Sequence, residues 1–198
     1  MSTEFSEAPA SGGLPNKIGM NHFSWNLRHQ GGWDKDPKRA YTGNGPMVST
    51  GSYTARLIAG EKVVEEKFDV LLDPRVTLVT DADVAEQEAL SLEIQTFRDQ
   101  VDQLIVAVEK EQEALKLVIE KENTTKKIAR KKSELDAIHE ELVTPEGTYM
   151  QPMLEDQARY LSSMLGQADQ KPGNDAYERF AELKQQFEQI KARFEGMK

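Results

Sequence analysis

Along the chain the spacing of hydrophobic positions changes once. Between Asn21 and Leu72 apolar residues tend to alternate with polar ones, and from Asp81 onward they recur every three or four residues. The pattern therefore predicts strands first and helices afterwards, an α+β chain. In the first part Phe23, Trp25 and Leu27 fall on one side of an alternating run and His22, Ser24, Asn26 and Arg28 on the other, as in a half-buried strand over 21–28. The next stretch, QGGWDKDPKRAYTGNGPMVST at 30–50, is dense in turn formers and reads as a long loop. Gly51 introduces Ser52–Ile58, with Tyr53, Ala55 and Leu57 on one face. A turn at Ala59-Gly60-Glu61-Lys62 leads into Val63–Leu72, which completes an antiparallel hairpin. Three strands make a thin sheet, with an edge or a face left to be covered by something else.

The helical part opens after Asp73-Pro74, with Thr80 as a cap and Asp81 and Asp83 in the first turn, where the helix dipole favours negative charge. Leu90, Ile94, Phe97, Val101, Leu104, Val108, Leu115 and Val118 follow a heptad spacing interrupted only at Glu111. That predicts one helix over 81–122, roughly 60 Å long. Asn123 is a stop signal, and Thr124 or Thr125 can cap a second helix over 124–143 carrying Ile128, Leu135, Ile138 and Leu142. Pro145-Glu146-Gly147 ends it. A third helix over 152–169 carries Leu154, Ala158, Leu161 and Leu165 and stops before Lys171-Pro172-Gly173. A fourth over 174–195 carries Tyr177, Phe180, Leu183, Phe187, Ile190 and Phe194, with Asp175 and Glu178 spaced as a capping pair. Short links predict antiparallel neighbours in an up-and-down bundle of three to four helices.

Composition sharpens the division. The 198 residues carry 25 Lys and Arg against 34 Asp and Glu, a net charge of −9. Residues 1–80 hold 9 of each sign, so the whole excess lies in the bundle. Nine of the 13 glycines and both tryptophans lie in the first part. Acidic balance excludes a general nucleic-acid or anionic-membrane binder. No apolar run is long enough to span a membrane, and the absence of cysteine excludes disulfides and thiol chemistry. Residues 1–15, rich in Ser, Gly, Pro and Glu, read as a flexible tail without the basic start and apolar stretch of an export signal.

Candidate chemistry is sparse. His139 lacks the second histidine, four residues away, that a helical zinc site needs, and reads as a solvated side chain. Gly43-Asn44-Gly45-Pro46 lacks the lysine and hydroxyl of a phosphate loop, and Asp34 with Asp36 lacks the ligand ladder of a calcium loop. Lys126, Lys127, Arg130, Lys131 and Lys132 form one basic cluster, without interleaved aromatics, facing Glu120, Glu122 and Glu134 as ion-pair partners. Asn123-Thr124-Thr125 matches a glycosylation acceptor, a short and unspecific motif. No carboxylate pair stands out as buried, which a catalytic acid requires. The expectation is a chain that is not an enzyme and uses no cofactor, metal or small-molecule ligand. Its aromatic residues Phe23, Trp25, Trp33, Tyr41 and Tyr53 are the candidates for contact with a protein partner, Trp33 being either a core plug or an exposed anchor.

Several runs carry a family resemblance. Leu14–Arg28, with Gly19, Asn21, Phe23, Trp25, Leu27 and Arg28, resembles a "G-x-N-x-F-x-W-D-L-R" strand of bacterial sortilin-like propeller proteins, glycosyl hydrolases with bacterial neuraminidase repeats. Gly51–Leu57 is similar to their "PGTYTVRL" strand, Leu72–Val76 to a "DPRV" junction, and Glu140–Val143 with Asn174–Phe180 to their C-terminal helices. Asn26 and Ser49-Thr50 depart from the family's aspartate and proline-containing turn. The resemblance covers about 14–195 and implies a partial immunoglobulin-like β-domain over 16–75 followed by a bundle over 80–198. It also implies a periplasmic or otherwise extracytoplasmic setting. The family's propeller, to which any hydrolase activity belongs, and the first strands of its immunoglobulin-like domain are not among these residues. The resulting expectation is a structural or accessory subunit that docks onto a larger protein assembly through an incomplete sheet and long helices. The alternatives are an accessory module of a propeller-type glycoside hydrolase and a carbohydrate-binding module using Trp25 or Trp33.

Overall fold

Thr80 begins the helical part through a reciprocal cap. Its hydroxyl oxygen accepts the Asp83 N–H at 3.3 Å, while the Asp83 carboxylate accepts the Thr80 N–H at 2.9 Å and its hydroxyl at 2.6 Å. In the computed structural model, which describes residues 15–121 and 125–197, four strands precede this point and four helices follow. They are β1 (Arg28–Gln30), β2 (Asn44–Met47), β3 (Gly51–Ala59), β4 (Lys62–Val70), α1 (Asp81–Lys121), α2 (Lys126–Leu142), α3 (Leu154–Leu165) and α4 (Asn174–Glu195). The architecture is the α+β arrangement that the change of period predicts: small antiparallel sheets, then a packed bundle. Asn123 and Thr124 lie outside the described residues; Thr125 caps α2 by accepting the Ile128 N–H.

The core belongs to the helices. The α1 seam from Leu90 through Val108 is buried, and it meets Leu135, Ile138 and Leu142 of α2, Leu154, Ala158, Leu161 and Leu165 of α3, and Phe180, Leu183, Phe187, Ile190 and Phe194 of α4 in one cluster. Past Val108 only α2 lies alongside α1, and the cover thins. Leu115 is partly buried, whereas Leu117 and Val118 are 51% and 40% exposed.

Connectivity differs from a simple up-and-down order. Along α1 the sequence 109, 112 meets 139, 136 of α2, and 87, 98 meets 165, 162 of α3, so both helices run antiparallel to α1, one beside each half. α4 runs parallel to α1, since Tyr177 reaches Glu86 and Phe187 lies beside Phe97. The link 143–153 thus joins two helices of one direction, because α2 and α3 are each too short to cover the 41 residues of α1 alone. α4 also starts differently. Its cap is Gly173, and Asp175 lies in the first turn without capping.

The strands correct the expected sheet more strongly. Residues 21–27 are not a strand. The Asn21 side chain closes a loop on Lys17 through bonds of 3.0 and 2.9 Å, and Leu27 adopts a left-handed backbone with φ of 58°. β1 is only three residues long and pairs with β2, which lies within the predicted loop. β3 pairs with β4 alone. Among the described residues there are therefore two two-stranded sheets in place of one of three strands. Gly60, with φ of 63°, turns the β3–β4 hairpin, whose register runs unbroken from Ala59↔Lys62 to Gly51↔Val70.

One charged cluster sits between α1 and α3. Burial pushes the Asp102 carboxyl up to about 6, with Glu155 adding repulsion and Arg159 opposing it; burial also lowers Arg98, whose Nε has no hydrogen-bond partner. Because the folded pKa lies above the unfolded value, ionised Asp102 opposes folding: stability falls as pH rises from about 4 to about 6 and then levels off. Asp102→Asn should therefore raise stability at pH 7.5 by about 1 kcal/mol, after discounting for solvent screening of a partly exposed group. Urea midpoints of both proteins should converge near pH 4; an equal gap at both pH values would remove this account.

Candidate functional site

A three-ring cluster organises the base of the β3–β4 hairpin. Tyr53 and Phe68 are cross-strand partners in the register, stacked with centroids 6.0 Å apart. Trp25 covers this pair, tilted on Tyr53 at 5.6 Å and edge-on to Phe68 at 6.1 Å. The polar atoms of the cluster are satisfied: Trp25 Nε1–H donates to the Arg28 carbonyl at 3.0 Å, and the Tyr53 hydroxyl donates to the Ser49 carbonyl at 2.8 Å. Burial raises the Tyr53 pKa, which keeps its hydroxyl a donor.

The same face continues toward the turn without Trp25. Alternation along the strands places Ala55, Leu57, Val64 and the charged Glu66 on the side of Tyr53 and Phe68, while the opposite side carries the Ser52–Asp69 hydrogen bond, at 2.5 Å, and the Arg56–Glu65 ion pair, at 2.6 Å. At the tip Ile58 faces Val63 on the polar side. Leu57, Ile58, Val63 and Val64 are 52%, 64%, 56% and 62% exposed, and neither backbone of the hairpin approaches a helix or the β1–β2 sheet. Leu57 with Val64 on one face and Ile58 with Val63 on the other leave both faces of the projecting tip apolar and uncovered, which a soluble surface rarely does.

The base is tied to α1. Glu88 accepts from the Ser49 hydroxyl at 2.6 Å and meets His29 Nε2 at 2.5 Å; Thr50 donates to Asp81 at 2.7 Å, the Trp33 N–H to Asp99 at 2.8 Å, and Gln95 to the Gln30 carbonyl at 3.2 Å. Gly32 allows this close approach to α1 and Gly45 the close pairing of β2 with β1: a side-chain carbon at 32 would overlap the Asp99 carboxylate, and one at 45 would overlap the Gln30 carbonyl. These bonds root both small sheets on the first five turns of α1 and leave the hairpin tip free to project.

No protein-family model, curated protein or solved structure matches the chain. The site is therefore read from its own geometry. Of the aromatic residues singled out in the sequence, Trp25 and Tyr53 meet, with Phe68 as the third member. Trp33 is half-buried beside α1, and Phe23 and Tyr41, 53% and 56% exposed, lie outside the triad. Phe68, Leu57 and Val64 were absent from the candidates, although a two-residue turn at Gly60-Glu61 already implies the register that sets Phe68 opposite Tyr53 and Val64 opposite Leu57.

The other sequence features serve the structure. Gly43-Asn44-Gly45-Pro46 contributes to β2 in place of a loop. Asp34 and Asp36 accept backbone N–H groups of Asp36 and Lys38 in a turn. In the basic cluster Lys131 pairs with Glu111 and Lys132 with Asp136, while Glu134 binds Arg193. Among the described residues no group of three or more His, Asp or Glu is arranged to hold a metal. A hollow of about 540 Å³ between the far end of α1 and α2 is a broad open groove lined by Ile119, Ala129, Lys132, Ser133, Asp136, Ala137 and Glu140. No described helix is long and apolar enough to cross a membrane.

Proposed function

We propose that the chain is a non-catalytic structural or accessory subunit of a larger, extracytoplasmic protein assembly, docking through the β3–β4 hairpin with the helical bundle as its rigid base. The observation that carries this reading is the hairpin stripe that is covered by Trp25 at Tyr53 and Phe68, crosses the Ala55–Glu66 pair and lies open at Leu57 and Val64. A two-stranded hairpin is marginal in water by itself, so a partner that covers this stripe adds order as well as contact. The uncovered Leu117 and Val118 of α1 offer a second docking surface on the long helix.

The test compares the wild-type chain with a Leu57→Ser/Val64→Ser variant in affinity capture from the native source at moderate salt. The variant should lose at least about tenfold of a defined set of captured proteins, since each exposed apolar anchor contributes on the order of 1 kcal/mol to an interface. An identical captured set, turnover of glycoside substrates by the purified chain, or glycan binding unaffected by the substitutions would each reject this reading.

A further inference from the structure

The free edge of β3 identifies one occupant. Ala59↔Lys62 closes the two-residue turn, and from that pair the antiparallel alternation directs the N–H and C=O groups of Ser52, Thr54, Arg56 and Ile58 away from β4. No described strand pairs with that edge. β3 also lacks the usual devices that discourage edge pairing: it has no proline, no bulge, and on the triad side no charge, carrying there only Gly51, Tyr53, Ala55, Leu57 and Ala59.

We propose that two copies of this chain pair antiparallel through β3, about a twofold axis at Ala55, forming a four-stranded sheet in the order β4–β3–β3–β4. This inference rests on the docking reading of the hairpin and names its partner. In that register Ser52 lies opposite the second copy's Ile58, and Thr54 opposite its Arg56, so every outward N–H and C=O meets a complement. On the triad side Leu57 falls opposite the second copy's Tyr53. Phe68 and Tyr53 of one chain then continue into Leu57 and Val64 of the other as one apolar row across four strands. Each uncovered tip is thereby seated beside the other chain's covered base, and the small Ala55 side chains meet where paired Cα atoms come closest.

The β4 edge is the less suited of the two. The self-pairing register that uses its full length sets two Glu66 side chains directly opposite one another at the axis and, although it also pairs Glu65 with the second copy's Lys67, leaves Val63 opposite Asp69. Through β3 the only charged side chain is Arg56, already held by Glu65 at 2.6 Å on the polar side and facing Thr54 across the axis. The two Glu66 side chains then lie on the outer strands, about 14 Å apart at the usual strand spacing.

Sedimentation equilibrium of the full chain from micromolar to near-millimolar concentration tests the pairing. The wild type should reach twice its 22.3 kDa. Thr54→Pro removes an outward donor without touching a bond to β4 and should weaken association at least tenfold, whereas Lys67→Pro on the outer edge of β4 should leave it unchanged. Ala55→Arg, which gains Glu66 as a partner within the hairpin but sets two arginines on the axis, should also weaken it at least tenfold. Hydrogen exchange at Tyr53, Ala55 and Leu57, whose amides face β4, checks that each hairpin is intact. A monomeric wild type, or a Thr54→Pro variant with an intact hairpin that dimerises like wild type, overturns the proposal. If the wild type is monomeric while Leu57→Ser/Val64→Ser still loses its captured proteins, pairing fails and docking stands. A β3-dependent dimer whose tip variants capture the same set supports pairing and retires docking onto other proteins.

Discussion

Replacing Phe97 by alanine lowers the thermal midpoint of helix unfolding by roughly 10 °C, an expected loss of about 3–5 kcal/mol. Phe97 is 4% exposed on the buried seam of α1 and meets the rings of Phe180 and Phe187, each at 5.5 Å and close to perpendicular. Truncation removes its own transfer from water, opens a cavity between α1 and α4, and deletes two edge-to-face contacts, each of about 0.5–1.5 kcal/mol. The neighbouring rings sit on one helix and cannot both move inward without shifting its backbone. The two tryptophans lie outside the bundle, so ellipticity at the helix band isolates this effect while tryptophan emission reports the sheets. Phe97→Leu should cost less than half as much. A Phe97→Ala/Phe187→Ala pair should fall short of the sum of its singles, because one contact is lost in both. A shift below about 3 °C for Phe97→Ala would mean that this ring cluster does not anchor the bundle.

Gly45→Ala should have the opposite signature. A side-chain carbon at 45 would overlap the Gln30 carbonyl oxygen and lie 2.9 Å from the His29 carbonyl oxygen, and both obstacles are backbone. A methyl group that meets backbone cannot be relieved by a change of rotamer, so the cost should be on the order of 3 kcal/mol, the upper part of the range for overpacking. A two-stranded sheet contains little stability of its own to absorb such a cost. The β1–β2 pairing should therefore open, and with it the seat that holds His29 and Ser49 on Glu88. Expected is a red shift of tryptophan emission and rapid exchange at Arg28–Met47, with helix content and its melting midpoint nearly unchanged. Unchanged emission would show that β1 and β2 are spaced more widely than the structure places them.

Those two substitutions divide the molecule along the line where its sequence changes period, and they also mark where sequence reasoning succeeds. In α1, α3 and α4 most apolar positions of the periodic pattern face helices that supply similar stripes, so periodicity and core coincide from Leu90 to Val108 and from Phe180 to Phe194. Beyond Val108 the same spacing continues through Leu115 and Val118, yet α3 and α4 lie beside the earlier part of α1 and only α2 continues alongside, so Leu115 is partly buried and Val118 exposed. Spacing reports which side of a helix is apolar. It does not report whether another helix is there.

In the strands the failure is more instructive. Phe23, Trp25 and Leu27 alternate as a strand does, but a left-handed Leu27 and an Asn21-closed loop put the chain on another course, and Trp25 reaches the hairpin as a single ring. Alternation is short-range information, and six or seven residues of it are compatible with several backbones. Strand pairing over 14 residues or more, such as Arg28 with Met47, depends on glycines that make close approach possible and on hydrogen bonds to α1 that no local pattern encodes. The candidate site was partly legible for the same reason. Tyr53 and Trp25 are conspicuous as aromatic residues, whereas Phe68, Leu57 and Val64 gain their meaning from cross-strand register.

Residue order alone dictates the division at Thr80, the acidic helices with their heptad faces, and a hairpin turned at Gly60, because caps, turns and periodic burial act within a few residues of one another. The tertiary structure decides the rest. It lays α2 and α3 end to end along α1, separates the strands into two sheets, and leaves the far half of one hairpin face without cover. Those outcomes depend on which surfaces meet across distant parts of the chain, and burial at such surfaces is a property of the pair, never of one segment.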